Sequence, residues 1–243
     1  MSVVSFDGVA VRAPSGRMIL DAFTLEVASG EALALVGPSG GGKTTALKLV
    51  NALRRPTAGT VRVAGRATTE WDPIALRRQT GYVIQEIGLF PHCTVAENVA
   101  TVPEISGWEP ARVRARVDEL LTLVGLAPAE YAGRYPHELS GGQRQRVGVA
   151  RALAADPPLV LLDEPFGALD SVTRFGLQTE FRALQQRLHR TVLFVTHDLH
   201  EAMRVADRLA VVAEGRVRAC LSPSEVTSSE DDFVRALREA SGL

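Results

Sequence analysis

Residues 32–45 read ALALVGPSGGGKTT. Five apolar residues give way at Gly37 to a loop with glycine at four of its six positions, 37–42. Lys43, Thr44 and Thr45 then open a stretch predicted to be helical over 43–53. The pattern G-x-x-x-x-G-K-[ST] therefore lies between a predicted strand and a predicted helix, the context that gives it meaning. Gly37, Pro38, Ser39, Gly40, Gly41 and Gly42 form a chain segment free to curl, so that its N–H groups point inward at phosphate oxygens. The helix that follows adds the positive end of its dipole. Lys43 contributes a mobile point charge for the β- and γ-phosphates. Thr44 offers a hydroxyl to Mg²⁺, which takes hard oxygen ligands and keeps several waters. The segment is read as a nucleotide-binding loop, with ATP and Mg²⁺ as the expected ligands.

Lysine is otherwise nearly absent. Of 27 basic residues, only Lys43 and Lys48 are lysines. The charge balance is even, with a net charge of −1, which argues against a protein that binds nucleic acid through a broad basic surface. Cys93 and Cys220 are too few and too far apart for a disulfide framework or a zinc site, and free thiols fit the cytosol. The N-terminus lacks a basic region followed by an apolar stretch, so no signal peptide is expected. No apolar run approaches the roughly 20 residues that span a bilayer. The expectation is a soluble chain, peripheral on the cytoplasmic face of the membrane if it serves a membrane process.

Apolar runs at 3–11, 23–27, 32–37, 59–65 and 81–85 read as strands. Residues 110–124 read as an amphipathic helix, with Val113, Val117, Leu120, Leu121 and Val124 on one face and Pro110 near the start. A second helix is predicted over 141–155, stopped by Pro157 and Pro158. LVLLD at 159–163 is apolar without alternation, as for a strand buried on both faces of a parallel sheet. A helix at 171–188, a strand at 191–197, a helix at 199–206 and a hairpin at 208–219 turning at Glu214-Gly215 follow. A short helix near 231–240 ends the chain. Such alternation implies an α/β fold with a largely parallel sheet. One domain is expected, with a core over 1–85 and 158–220, a helical subdomain inserted at 86–157, and a tail at 221–243.

LLDEP places Asp163 and Glu164 at the C-terminal end of a buried strand, where open α/β sheets bind ligands. Asp163 is then a partner for Mg²⁺ at one remove, through another ligand or through water. Glu164 is positioned to polarise the water that attacks the γ-phosphate, as a general base. His197 ends the strand TVLFVTH and is expected at the same sheet edge, within reach of the γ-phosphate. Gln85 ends GYVIQ in the same manner, its amide directed at Mg²⁺ or the attacking water.

With LSGGQ at 139–143, this set resembles the ATP-binding cassette ATPases. GPSGGGKT, Gln85, LSGGQ, VLLDEP, ALD at 168–170 and His197 occur in that family's order and approximate spacing, and the resemblance covers about residues 3–240. It implies a P-loop NTPase core of the RecA-like kind, with a mixed, largely parallel sheet, an antiparallel β portion and the helical insertion. It also implies that two cassettes pack head to tail with ATP between the phosphate loop of one and the signature residues Ser140, Gly141, Gly142 and Gln143 of the other. Asp170 would lie at the dimer seam. The finer resemblance, carried by GYVIQEIGLFPH, VPEISGW, RYPHELSGGQRQRVGVARALAADPP and GALDSVTRFGLQTE, is to importer cassettes for glycine betaine, choline and related quaternary amines. Its implied partners are a second cassette, an integral-membrane permease met around Glu86–His92, and an extracytoplasmic solute-binding protein, with no nucleic acid.

Two departures stand out. Ala13 occupies the position where many cassettes stack an aromatic ring on adenine, leaving Arg12 or Arg17 to cover the base. Members of the osmoprotectant subgroup often carry a regulatory pair of domains after the cassette, whereas this sequence ends at Leu243, so ionic-strength sensing by such an appendage is not expected. Two alternatives compete with the importer reading. One is a cassette of an exporter or of another importer class. The other is a non-transport ATPase of DNA repair or translation, which usually carries long coiled-coil inserts or two cassettes in one chain.

Overall fold

The first two strands, β1 (Ser2–Arg12) and β2 (Met18–Ala28), alternate buried and exposed side chains and pair antiparallel. Strand β3 (Ala32–Val36) is buried at every position. That contrast separates two sheets in this computed structural model, which describes residues 2–85, 88–167 and 169–243. With β4 (Ala58–Val63) and the short β5 (Arg66–Ala67), the first pair forms an antiparallel sheet of order β2-β1-β4-β5. The second sheet is built on β3, β6 (Thr80–Val83), β7 (Leu159–Asp163), β8 (Thr191–Thr196), β9 (Arg208–Ala213) and β10 (Arg216–Leu221), in the order β10-β9-β3-β8-β7-β6. All its pairings are parallel except the β9–β10 hairpin. Both turn residues of that hairpin, Glu214 and Gly215, have positive φ, which suits the twist of a two-residue connection.

The central strands are largely apolar because each faces two cores. Leu33, Leu35, Leu159, Leu161, Leu193 and Val195 pack with α1 (Lys43–Val50) and the antiparallel sheet. Their neighbours Ala34, Val36, Val160, Leu162, Val192 and Phe194 pack on the other side. There the chain between β6 and β7 forms α3 (Val95–Ile105), α4 (Pro110–Leu123), α5 (Pro128–Tyr131) and α6 (Gly141–Leu153), after α2 (Pro73–Arg78) has led into β6. Val99, Val117, Leu120 and Val147 join this second core. α7 (Ser171–Leu188) and α8 (Leu199–Val205) cover the same face, followed by α9 (Pro223–Ser228) and α10 (Asp232–Ala240). No helix among the described residues is long and apolar enough to cross a membrane.

The predicted strands and helices occur in this order, with ends that differ in places, and β5, α2, α3, α5 and α9 are not among them. The helix predicted over 43–53 stops at Val50, since Ala52 takes a left-handed φ of 52°. The strand predicted to end at Gln85 ends at Val83, so Gln85 lies in the turn beyond it. Glu86 and Ile87, expected to begin the permease-facing segment, and Ala168 of the ALD triplet lie outside the described residues.

Candidate active site

Parallel register places the functional side chains together. Val36 of β3 lies opposite Thr196 of β8, Asp163 of β7 opposite Val195 of β8, and Val83 of β6 opposite Leu162 of β7. The residues just past these ends are Gly37, His197, Glu164 and, two beyond Val83, Gln85. They emerge at one edge of one sheet, as strand-end ligand sites do.

The phosphate loop fits only with glycine at its ends. A Cβ on Gly37, whose φ is 146°, would stand 2.1 Å from the carbonyl oxygen of Val212. A Cβ on Gly42, at φ 96°, would stand 2.8 Å from the oxygen of Ile19. Gly42 is also the N-cap of α1, so the loop runs into the helix start with N–H groups free of side-chain caps. Lys43 is 6% exposed and folds back over the loop. Its Nζ donates to the oxygens of Gly37 at 2.7 Å and Pro38 at 2.8 Å. Burial lowers its pKa below the lysine range, opposed by the nearby carboxylates of Glu164 and Asp163. Residues 39–45, with Arg17, Ile19 and Glu164, line an open cleft of about 310 Å³. Arg17 thus reaches the site, while Arg12 and Ala13 are not among its lining residues.

Behind the loop, Thr44 Oγ1 donates to Asp163 Oδ1 at 2.8 Å. Burial raises the Asp163 carboxyl above the usual range, against the pull of Thr44, Lys48 and Lys43. Glu164 holds a left-handed φ of 48°, a strained setting that turns its carboxylate out over the loop. Two side chains converge on its Oε2. Gln85 Nε2 donates to it at 3.3 Å, and His197 Nδ1 lies 3.5 Å away. Thr44, Gln85 and Asp163 supply the hard oxygens that suit Mg²⁺. Among the described residues no group of three or more His, Cys, Asp and Glu could hold a metal. Mg²⁺ keeps several waters and is commonly held by a few protein oxygens together with substrate phosphates.

Ser140, Gly141, Gly142 and Gln143 do not join this cluster. Ser140 caps α6 reciprocally: Gln143 N–H donates to Ser140 Oγ, and Ser140 N–H donates to Gln143 Oε1. Ser140 is exposed, so this helix N-terminus opens to solvent. The turn rests on the segment after Glu164, since a Cβ on Gly142 would meet Thr173 Cγ2 at 2.8 Å and one on Gly141 would meet Leu169 at 3.8 Å. Asp170, also exposed, caps α7 by accepting from Val172 and Thr173 N–H, which holds its carboxyl below the usual range.

Sequence reasoning passed over a polar group behind His197. Asp198 caps α8, Glu201 is 4% exposed, and Arg174 reaches toward both from α7. Only the contact between α7 and α8 brings them together, although Asp198 directly before a helix was a visible cap signal.

The chain is similar to known transport ATP-binding proteins and cassettes. The choline transport ATP-binding protein OpuBA of Bacillus subtilis is 46% identical over 233 residues, 96% of this chain and 61% of that protein. The glycine betaine/carnitine/choline transport ATP-binding protein OpuCA of the same organism is 49% identical over 211 residues, 87% of this chain and 55% of that protein. The chain thus spans little more than half the length of these two relatives. A solved dimer of the ATP-binding cassette MJ0796, in a post-hydrolysis state bound to ADP and Pi, superposes with a TM-score of 0.80 at 31% identity, covering 90% of this chain and 98% of that one. The family described as ABC transporter matches residues 20–167, which contain both the phosphate loop and the strand-end carboxylates, and the chain belongs to that family.

Proposed function

We propose that the chain is the ATP-hydrolysing motor subunit of a membrane importer for osmoprotectants or quaternary amines such as glycine betaine. The observation that carries the hydrolytic reading is the convergence of Gln85 and His197 on Glu164 Oε2, beside a phosphate loop and a buried Thr44–Asp163 pair. The import reading draws on the names of the choline and glycine betaine transport relatives.

In this mechanism the Lys43 ammonium leaves the Gly37 and Pro38 oxygens for the β- and γ-phosphates of ATP. The loop N–H groups and the α1 N-terminus complete the anion site. Thr44 and Gln85 would hold Mg²⁺, with Asp163 behind Thr44, and the ion when bound would neutralise charge on the phosphate oxygens. Glu164 accepts a proton from a water whose oxygen attacks the γ-phosphorus, and the bond from that phosphorus to the β–γ bridging oxygen breaks to release ADP. His197 and Gln85 hold the Glu164 carboxylate in place. The exposed Ser140 turn offers a second anion site, which a head-to-tail partner would bring over the γ-phosphate. ATP touching both halves then favours the closed dimer, and its hydrolysis removes the bridge. The dimer works on an integral-membrane permease, supplied by a solute-binding protein outside the membrane. The cassette sits peripherally on the cytoplasmic face.

Steady-state turnover of Mg-ATP tests the base assignment. Glu164→Gln keeps the shape of the side chain and removes its basicity. It is expected to retain ATP binding and lose turnover by about a hundredfold or more. Hydrolysis at the wild-type rate would assign the base elsewhere.

A further inference from the structure

Arg174 of α7 sits between the two halves of the proposed mechanism. Its Nη2 donates to the oxygen of Leu169 at 2.9 Å, in the segment on which the Ser140–Gln143 turn rests. Its Nη1 lies 3.8 Å from Asp198 Oδ2, next to His197. Asp198 holds the turn that follows His197 at both ends. Its N–H donates to Thr196 Oγ1 at 3.0 Å, and its Oδ1 accepts from Glu201 N–H at 3.2 Å. We propose that Arg174 is a positioning residue that couples the signature turn, through Leu169, to the turn that aims His197 at Glu164.

A second observation supports this independently. Arg174 Nε, a donor, and Glu201 Oε1, an acceptor, are both buried without a hydrogen-bond partner, and the two side chains interact electrostatically. Orphaned buried groups are costly, and these two are complementary. Arg174 therefore has two anchorages, Asp198 as observed and Glu201 within the same layer. A guanidinium can keep its bond to Leu169 while shifting between them, because its donors are arranged as a rigid fork. Burial pushes the Glu201 carboxyl up to about 8, so near neutral pH it is mostly protonated and Arg174 is left to Asp198. When the signature turn engages a nucleotide, Leu169 moves with it, and Arg174 carries that shift to Asp198 and His197. The state of the partner-facing surface thus reaches the base that attacks the γ-phosphate.

The inference rests on the hydrolytic reading, so two measurements on the full chain are paired. In Mg-ATP turnover, Arg174→Lys keeps the charge but loses the fork. It is expected to lower kcat about tenfold while KM stays within about twofold. Asp198→Asn is expected to lower kcat as well, and the double variant to be no slower than the slower single, as for residues acting in one chain. Losses that multiply, an unchanged kcat in Arg174→Lys, or a raised KM alone would overturn the coupling. Amide hydrogen exchange without nucleotide is the second measurement. The Asp198 amide is expected to exchange about tenfold faster in Arg174→Lys than in wild type, with an unchanged melting temperature. Equal protection overturns the proposal even if the wild type hydrolyses no ATP, an outcome that would by itself refute only the hydrolytic reading. Should Arg174→Lys fail to fold, Asp198→Asn read by the same two measurements decides the matter.

Discussion

Lys43 spends its charge on two loop carbonyls, a donor geometry that phosphate oxygens would replace bond for bond. Burial lowers its pKa, and an anion beside it would act in the opposite direction, favouring the charged form. Removing it should weaken ATP binding by about ten- to a hundredfold, the weight of a charge-assisted contact. Titration of Lys43→Ala with a fluorescent ATP analogue checks this, and unchanged affinity would refute the phosphate role. The exposed Lys48 has no such contact, which accounts for one of the two lysines in an arginine-rich chain being placed at the loop. Glu201 gives a second test at this scale. Its pKa is raised from 4.5 to about 8 by burial, so the folded chain holds a proton that the unfolded chain releases earlier. The Glu201 contribution therefore makes stability fall as pH rises between those two values. Urea midpoints of wild type and Glu201→Gln across that interval check it. The wild type should lose ground to the variant as pH rises, and a constant difference would contradict the assignment.

Elements whose burial is one-sided or complete were legible in the sequence, because burial writes itself into residue pattern. β7 and β8, apolar apart from Asp163, Thr191 and Thr196, are buried throughout, and α7 has the predicted bounds. α2 has six residues and β5 has two, too short for any period to show. α3 contains Pro103, a residue that ordinarily argues against a helix interior, yet its capping box of Thr94 and Glu97 starts it firmly. At the site, strand ends located Glu164, His197 and Gln85 because parallel register carries them to one edge. Arg174 and Glu201 meet only through the packing of one helix on another, which leaves no local pattern. The start of α6 has two duties. Ser140→Ala should remove the cap, lowering stability by about 1 kcal/mol. It should also weaken ATP-driven association, and calorimetric melting alongside a dimerisation titration separates the two effects. A melting change with no change in association would limit Ser140 to its cap.

At the scale of the whole molecule, two apolar cores flank one largely parallel sheet, and the site lies at the C-terminal ends of its strands. The helical stretch is tied back to the sheet by Arg116, which donates to the oxygens of Leu153 and Ala154 and reaches Asp156, itself shared with Arg190 before β8. The residues that line the phosphate-loop cleft do not include the Ser140 turn. In the proposed mechanism a nucleotide bound at Lys43 is half enclosed by its own chain, and a second copy would supply the missing side. Light scattering of Glu164→Gln at saturating Mg-ATP is the most direct measurement of that claim. A mass twice that of one chain, reverting to one chain when ATP is removed or when Lys43→Ala is added to the variant, is the predicted result. A chain that binds ATP and stays at the mass of one copy would contradict it.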